Sequence, residues 1–160
     1  MAKSSVRNLP RLSILDRLID DDPGSQKDPP MEEAQLMRRI QLAVRRDLED
    51  LLNTRYRCTT WPPELEELDN SLINYGIPDF TAASLNAAEE DGILLKSIRA
   101  AITLFEPRLT EVRLEKIKNK EYLDRTFRFR IDAVLVIASI RQEVRFDSSL
   151  ESATGQFEVE

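Results

Sequence analysis

A chain of 160 residues with one cysteine, no histidine and a formal net charge of −6 is long enough to bury a single core. Its inventory excludes Ser-His-Asp and Cys-His nucleophiles, histidine-bearing zinc sites, thiolate cages and internal disulfides, and four glycines supply no Gly-rich phosphate loop. No apolar run reaches the ~18 residues that span a bilayer, no signal peptide follows Lys3 and Arg7, and the acidic balance argues against nucleic acid as the main partner.

The charge is unevenly spread. Residues 61–92 carry eight acidic side chains and no Lys or Arg, whereas residues 111–130 carry seven basic side chains against four acidic ones. Such segregation fits partners of both signs, or simply solvated faces. The lone Cys58 fits a reducing cytoplasm.

In chain order, residues 1–10 read as disordered. Residues 11–20 place Leu12, Leu15, Leu18 and Ile19 on one side of a short amphipathic helix, too short to be stable undocked, and the Pro- and Asp-rich residues 21–30 read as a linker. A helix is expected over 31–53, with Pro30 at its start and Leu36, Ile40, Ala43, Val44, Leu48, Leu51 and Leu52 as its buried face. Its other face interleaves arginines with Asp47, Glu49 and Asp50, the pattern of a solvated surface. From 54 to 80 the periodicity breaks up. Residues 64–70 form at most a short helix, 71–76 an apolar run closed by Gly76, and 75–80 a compact loop pinned by Trp61, Tyr75 and Phe80 as satellite core residues. Asn86 followed by Glu89 resembles a capping box, which predicts a second helix over 87–105 with Leu94, Ile98, Ala101, Ile102 and Phe105 as its stripe.

After Pro107 the period becomes two. Strands are expected over 109–118, with its alternation slipping between Leu114 and Ile117, over 126–137, around 142–147 and at the acidic 156–160, with a turn at 122–125. The far side of the second strand turns apolar at Val134, Val136 and Ala138, which predicts cover on both faces at that end. The fold class is therefore α+β, with N-terminal helices packed on a C-terminal antiparallel sheet of three to four strands. The terminal strand QFEVE is expected to leave an edge open to β-augmentation.

The junction of the two patterns is Phe105-Glu106-Pro107-Arg108-Leu109. Proline disfavours the α conformation in the residue before it, so Glu106 is expected to be extended and Arg108 to continue it. Residues two apart on an extended chain point the same way, placing the carboxylate beside the guanidinium. The two either brace each other or face a partner together.

Several stretches together are similar to one known family. They are 13–20 (SILDRLID), 45–55 (RRDLEDLLNTR), 71–80 (SLINYGIPDF), 98–112 around FEPRL, 127–135, and 144–159 with its VRFD. The chain resembles the TssE family of type VI secretion baseplate wedge subunits, part of the lysozyme-like baseplate family of contractile phage tails. The resemblance implies residues 1–30 as an N-terminal helix and linker and 31–160 as the wedge domain. It implies a structural, non-enzymatic role in the cytoplasm at an inner-membrane-docked baseplate, without cofactor, metal, nucleic acid or membrane insertion. The implied partners are wedge proteins resembling TssF, TssG and TssK, the tail hub, and sheath proteins resembling TssB and TssC, for which strands after Leu109 serve as template. Glu106, Pro107 and Arg108 become partner-binding residues by the same resemblance.

The lysozyme label also invites a peptidoglycan hydrolase with Glu106 as general acid. Such chemistry needs a protonated carboxyl with a second carboxylate roughly 5–10 Å away. A neighbouring guanidinium favours the ionised form, so the motif suits binding better than proton donation. A free-standing adaptor is the other alternative.

Overall fold

The computed structural model describes residues 18, 24, 32–56, 62, 64–79, 92–118, 126–138, 140–151 and 154–160. Of the expected N-terminal helix and linker, only Leu18, helical and exposed, and Gly24 in a turn fall within this set. Trp61, Phe80, the Asn86–Glu89 capping box and the turn at 122–125 lie outside it.

The first helix, α1, spans Glu33–Asn53, two residues later than expected, because Glu32 caps it in extended conformation with its N–H donated to the Gln35 side chain at 3.4 Å. Ile40, Ala43, Val44, Leu48, Leu51 and Leu52 are buried as the spacing requires, Met37 joins them, and Leu36 is half-buried. Beyond the helix, Arg55 and Ile77 form an isolated parallel bridge, with Ile77 N–H donating to the Thr54 carbonyl at 3.0 Å. This close approach needs Gly76, whose φ is 117° and whose missing Cβ would lie 2.4 Å from the Thr54 oxygen.

The second helix, α2, spans Ile93–Phe105, and residues 87–91 of the expected helix lie outside the described residues. Gly92 precedes it at φ 66°, ψ 15°, a left-handed conformation that interrupts a continuous run through this point. Leu94, Ile98, Ala101 and Ile102 are buried and Phe105 is half-buried, so the predicted stripe holds from Leu94 onward.

Four antiparallel strands follow in the order β1-β2-β3-β4: β1 Leu109–Ile117, β2 Thr126–Ile137, β3 Ile140–Glu151 and β4 Gln156–Val159. The result is the expected α+β arrangement. In β1 the alternation breaks already between Thr110 and Arg113, where Glu111 adopts φ 56° and one extra residue bulges out, so Leu109 and Val112 both turn inward. β3 is longer than the expected 142–147 because it pairs with β2 along the whole of that strand, from Thr126↔Glu151 to Ile137↔Ile140.

Both helices cover one face of the sheet, α1 over β4 and α2 over β1. Phe127, Phe129, Ile131, Ala133 and Leu135 of β2 project into this core with Phe146 and Leu150 of β3. Phe129 is fully buried at its centre, tilted on Phe127 at 5.7 Å and edge-on to Phe157 at 6.1 Å, and truncating it to alanine should cost roughly 3–5 kcal/mol. On the opposite face Val134 and Val136 are only half-buried and Ala138 is exposed, so the expected double cover is partial.

Candidate functional site

α2 ends at Phe105 because the ring of Pro107 cannot continue it. Glu106 still donates its N–H to the Ile102 carbonyl at 2.9 Å, but leaves the helix at φ −120°, ψ 76°. The expected extended run from Glu106 is instead a tight turn. Leu109 N–H reaches back to the Glu106 carbonyl at 3.0 Å, and the strand begins only at Leu109. The turn folds the two charged side chains together more closely than an extended backbone would. One Glu106 oxygen, Oε1, accepts from the Arg108 backbone N–H at 3.2 Å and from its Nε at 2.6 Å, and Oε2 accepts from Nη2. This is a bidentate fork, the strongest arrangement open to these groups.

A third member comes from α1. Arg108 Nη2 also donates to Asp47 Oδ2 at 2.6 Å, while Asp47 Oδ1 accepts from the adjacent Arg46 at 3.0 Å. The junction therefore ties the end of α2 to the middle of α1, across 61 residues of chain. Glu106 is only 4% exposed, Pro107 is exposed and Arg108 lies between. Hydrogen bonding to Glu106 raises the Arg108 pKa well above its ordinary value, and the Asp47 contact adds to this against an opposing effect of burial. Tyr75 seals the side of the site, edge-on to Phe105 at 5.2 Å. Its phenol is pushed up first by burial and then by Asp50, Asp47 and Glu106.

The structure thus brings Glu106 and Arg108 together as anticipated, and adds Asp47 and Tyr75. Asp47 was hidden among the alternating charges of α1; its one signal is its position immediately before the buried Leu48, at the border of the apolar stripe. Tyr75 serves as the satellite core residue expected of it.

The outer face of the sheet disperses the charge segregation seen along the sequence. Arg130 stands between Glu115 on β1 and Asp147 on β3, and the next row inverts the signs, with Asp132 between Arg113 and Arg145. Arg130 to Asp147 at 2.8 Å, Arg145 to Asp132 at 2.7 Å and Arg141 to Glu111 at 2.8 Å are direct ion pairs. On the described part of this face, positive and negative side chains therefore alternate between neighbouring strands instead of presenting one sign.

The β4 edge also departs from expectation. Both backbone groups of Phe157 are taken by the Asn53 side-chain amide, at 2.9 and 2.8 Å, and Arg55 donates to the Gly155 carbonyl at 2.9 Å while lying over the Phe157 ring. Burial lowers the Arg55 pKa and Asp79 opposes that shift. The end of α1 occupies the side of QFEVE that was expected to receive another strand. Among the described residues β1, at the other end of the sheet order, has a strand neighbour on one side only.

Against this geometry, the family model for baseplate wedge protein gp25 matches residues 38–139. The chain belongs to the gp25 baseplate wedge family. The gp25 match spans Asp47, Tyr75, the Glu106–Arg108 turn, β1 and β2, while β3 and β4 lie beyond it. Among solved structures, a chain in "The baseplate complex from the type VI secretion system" is similar at 15% identity and a TM-score of 0.47, covering 69% of this chain and 93% of that one. Comparison with curated proteins found no match. Among the described residues of this gp25-family chain, no helix is long and apolar enough to cross a membrane, and no group of three or more His, Cys, Asp or Glu is placed to hold a metal ion.

Proposed function

We propose that the protein is a structural, non-enzymatic wedge subunit in the baseplate of a contractile injection machine of the type VI class, working in the cytoplasm. In this reading the turn at Glu106-Pro107-Arg108 docks neighbouring wedge proteins resembling TssF, TssG and TssK near the tail hub. The sheet would then template the first ring of sheath subunits resembling TssB and TssC.

The observation that carries this reading is the family match over 38–139, which spans every element that builds the junction. The geometry adds a division of labour. Glu106 is buried and committed to Arg108, so it positions the guanidinium, and the exposed Pro107 together with the open part of Arg108 is what a partner touches. With the β4 side occupied by Asn53 and Arg55, the sheath strand is assigned to the β1 edge. A hydrolase built on Glu106 gains no support, because a carboxylate 4% exposed beneath its own arginine has no access to a polysaccharide.

The test is co-purification of tagged protein from cells that make all the wedge subunits, comparing wild type with Arg108→Ala and following thermal unfolding of both. A variant that loses the wedge partners while its folded fraction at assay temperature matches wild type supports the docking role. A variant that keeps every partner in its folded fraction reduces the motif to an internal brace.

A further inference from the structure

Outside the junction, three of the exposed large apolar side chains of the described residues fall within one short stretch, while Leu18, Leu42, Ile93 and Leu104 lie apart from it along the chain. Leu72 is 82% exposed, Ile73 55% and Leu65 49%. The adjacent pair Leu72 and Ile73 sits on a 3-10 turn, Leu72–Asn74, that packs on the preceding 3-10 helix Glu66–Asn70. Side-chain hydrogen bonds tie this turn to the preceding one. Ser71 Oγ accepts from Ile73 N–H at 3.3 Å and donates to the Leu68 carbonyl at 2.9 Å, and the Asn74 amide donates to the same carbonyl at 2.8 Å. Downstream the chain is locked by Gly76 against Thr54 and by the fully buried Ile77. The backbone therefore holds two branched aliphatic side chains out into water, so little conformational entropy remains to be lost when they are covered.

Along the chain, the charged residues flanking this knob carry one sign. Residues 61–92 contain eight acidic side chains and no Lys or Arg, and Glu64, Glu67 and Asp79 among them are exposed. Asp79 acts on the Arg55 guanidinium, so the carboxylates that complement an apolar strip bordered by cations are Glu64 and Glu67. This contrasts with the outer face of the sheet, where the ion pairs are already closed within the molecule.

We infer that Leu72 and Ile73, with Leu65 at the start of the adjoining 3-10 helix, form a docking knob for an amphipathic helix of a partner protein whose apolar stripe is bordered by Lys and Arg. The knob adjoins the junction through Tyr75, two residues beyond Ile73, but shares no residue with it, so the inference goes beyond the role assigned to Arg108 and fails or stands separately.

The test uses the full chain, isotope-labelled for NMR, and two synthetic helical peptides with the same leucine stripe, one bordered by lysines and the other by glutamates. The lysine peptide is expected to move amide signals of 64–79, while the glutamate peptide leaves them in place. Leu72→Ser with Ile73→Ser, both exposed positions whose replacement should leave the melting temperature unchanged, is expected to raise the Kd for the lysine peptide about tenfold or more. Glu64→Lys with Glu67→Lys is expected to transfer the preference to the glutamate peptide. Absence of binding, equal affinity in the serine variant, or signal changes confined to the outer sheet face would overturn the inference. Two further outcomes would assign the knob elsewhere. A dimer of the wild type that the serine variant abolishes would give it to a second copy. Movement of the 64–79 signals in Leu12→Ser with Leu15→Ser, without peptide, would give it to the chain's own N-terminal segment.

Discussion

Arginine and carboxylate meet at the α2–β1 junction and across the outer face of the sheet, with similar separations and very different surroundings. Arg108 contacts Asp47 at 2.6 Å with side chains 27% and 30% exposed, and its other partner, Glu106, has a side chain only 6% exposed. Arg145 contacts Asp132 at 2.7 Å, but the arginine is 64% exposed. Distance alone would rank these pairs as equals. Water decides otherwise. An exposed pair exchanges one set of good solvent contacts for another, whereas breaking a buried pair strands a charge that solvent cannot reach.

The largest consequence is therefore expected at the junction. Glu106→Ala should lower the unfolding free energy by about 3 kcal/mol, because it leaves Arg108 half-buried with Asp47 as its remaining anchor. Urea denaturation measures this, and a loss below about 1 kcal/mol would place the junction in the same class as the surface pairs. Asp47→Ala keeps the bidentate fork and should cost only about 1 kcal/mol. A third difference lies in alkaline solution. The Tyr75 phenol is raised by burial and by the three carboxylates around it, so the folded state resists its ionisation. Its contribution is complete below the ordinary tyrosine range and is lost as pH climbs through the raised value. Tyr75→Phe should flatten the alkaline fall in melting temperature, and an unaltered pH profile would mean that the phenol does not sense those carboxylates. The smallest effect is expected for Arg145→Ala, below about 0.5 kcal/mol. Raising salt toward about 1 M should erase it, while the Glu106→Ala loss persists, since screening acts on exposed charges and little on enclosed ones.

The parts of this fold that were legible in the sequence are those set by periodicity. The stripe of α1, the stripe of α2 from Leu94 and the alternation of β2 each follow from one repeating contact with one core, and a repeating cause leaves a repeating mark. What escaped was set by single residues acting through backbone geometry. Gly92 takes a left-handed step immediately before the second helix, and Glu111 inserts a bulge that a pattern of polar and apolar letters does not distinguish from a slip further along. Contacts at long range escaped for a different reason. Asp47 as the third member of the junction and Asn53 as the clamp on β4 are polar residues on a helix rich in polar residues, and their partners lie 61 and 104 residues away. Charge read along the chain was incomplete for the same reason, because folding places Asp147 of β3 opposite Arg130 of β2 and Arg145 of β3 opposite Asp132. The candidate site was found by its proline, a local signal, and completed by a residue that local signals do not reach.

The clamp of Asn53 and Arg55 on β4 has a consequence for how the protein comes off the ribosome. These residues find Phe157 and Gly155 only after about a hundred further residues have been made, which at 5–20 residues per second is an interval of roughly 5–20 seconds. During it α1 is complete while the amide and guanidinium that will hold β4 remain without their strand. The Asp47–Arg108 tie, at little more than half that separation, becomes available first. Synthesis therefore orders the two closures, joining the helices to each other before the sheet is fastened beneath them.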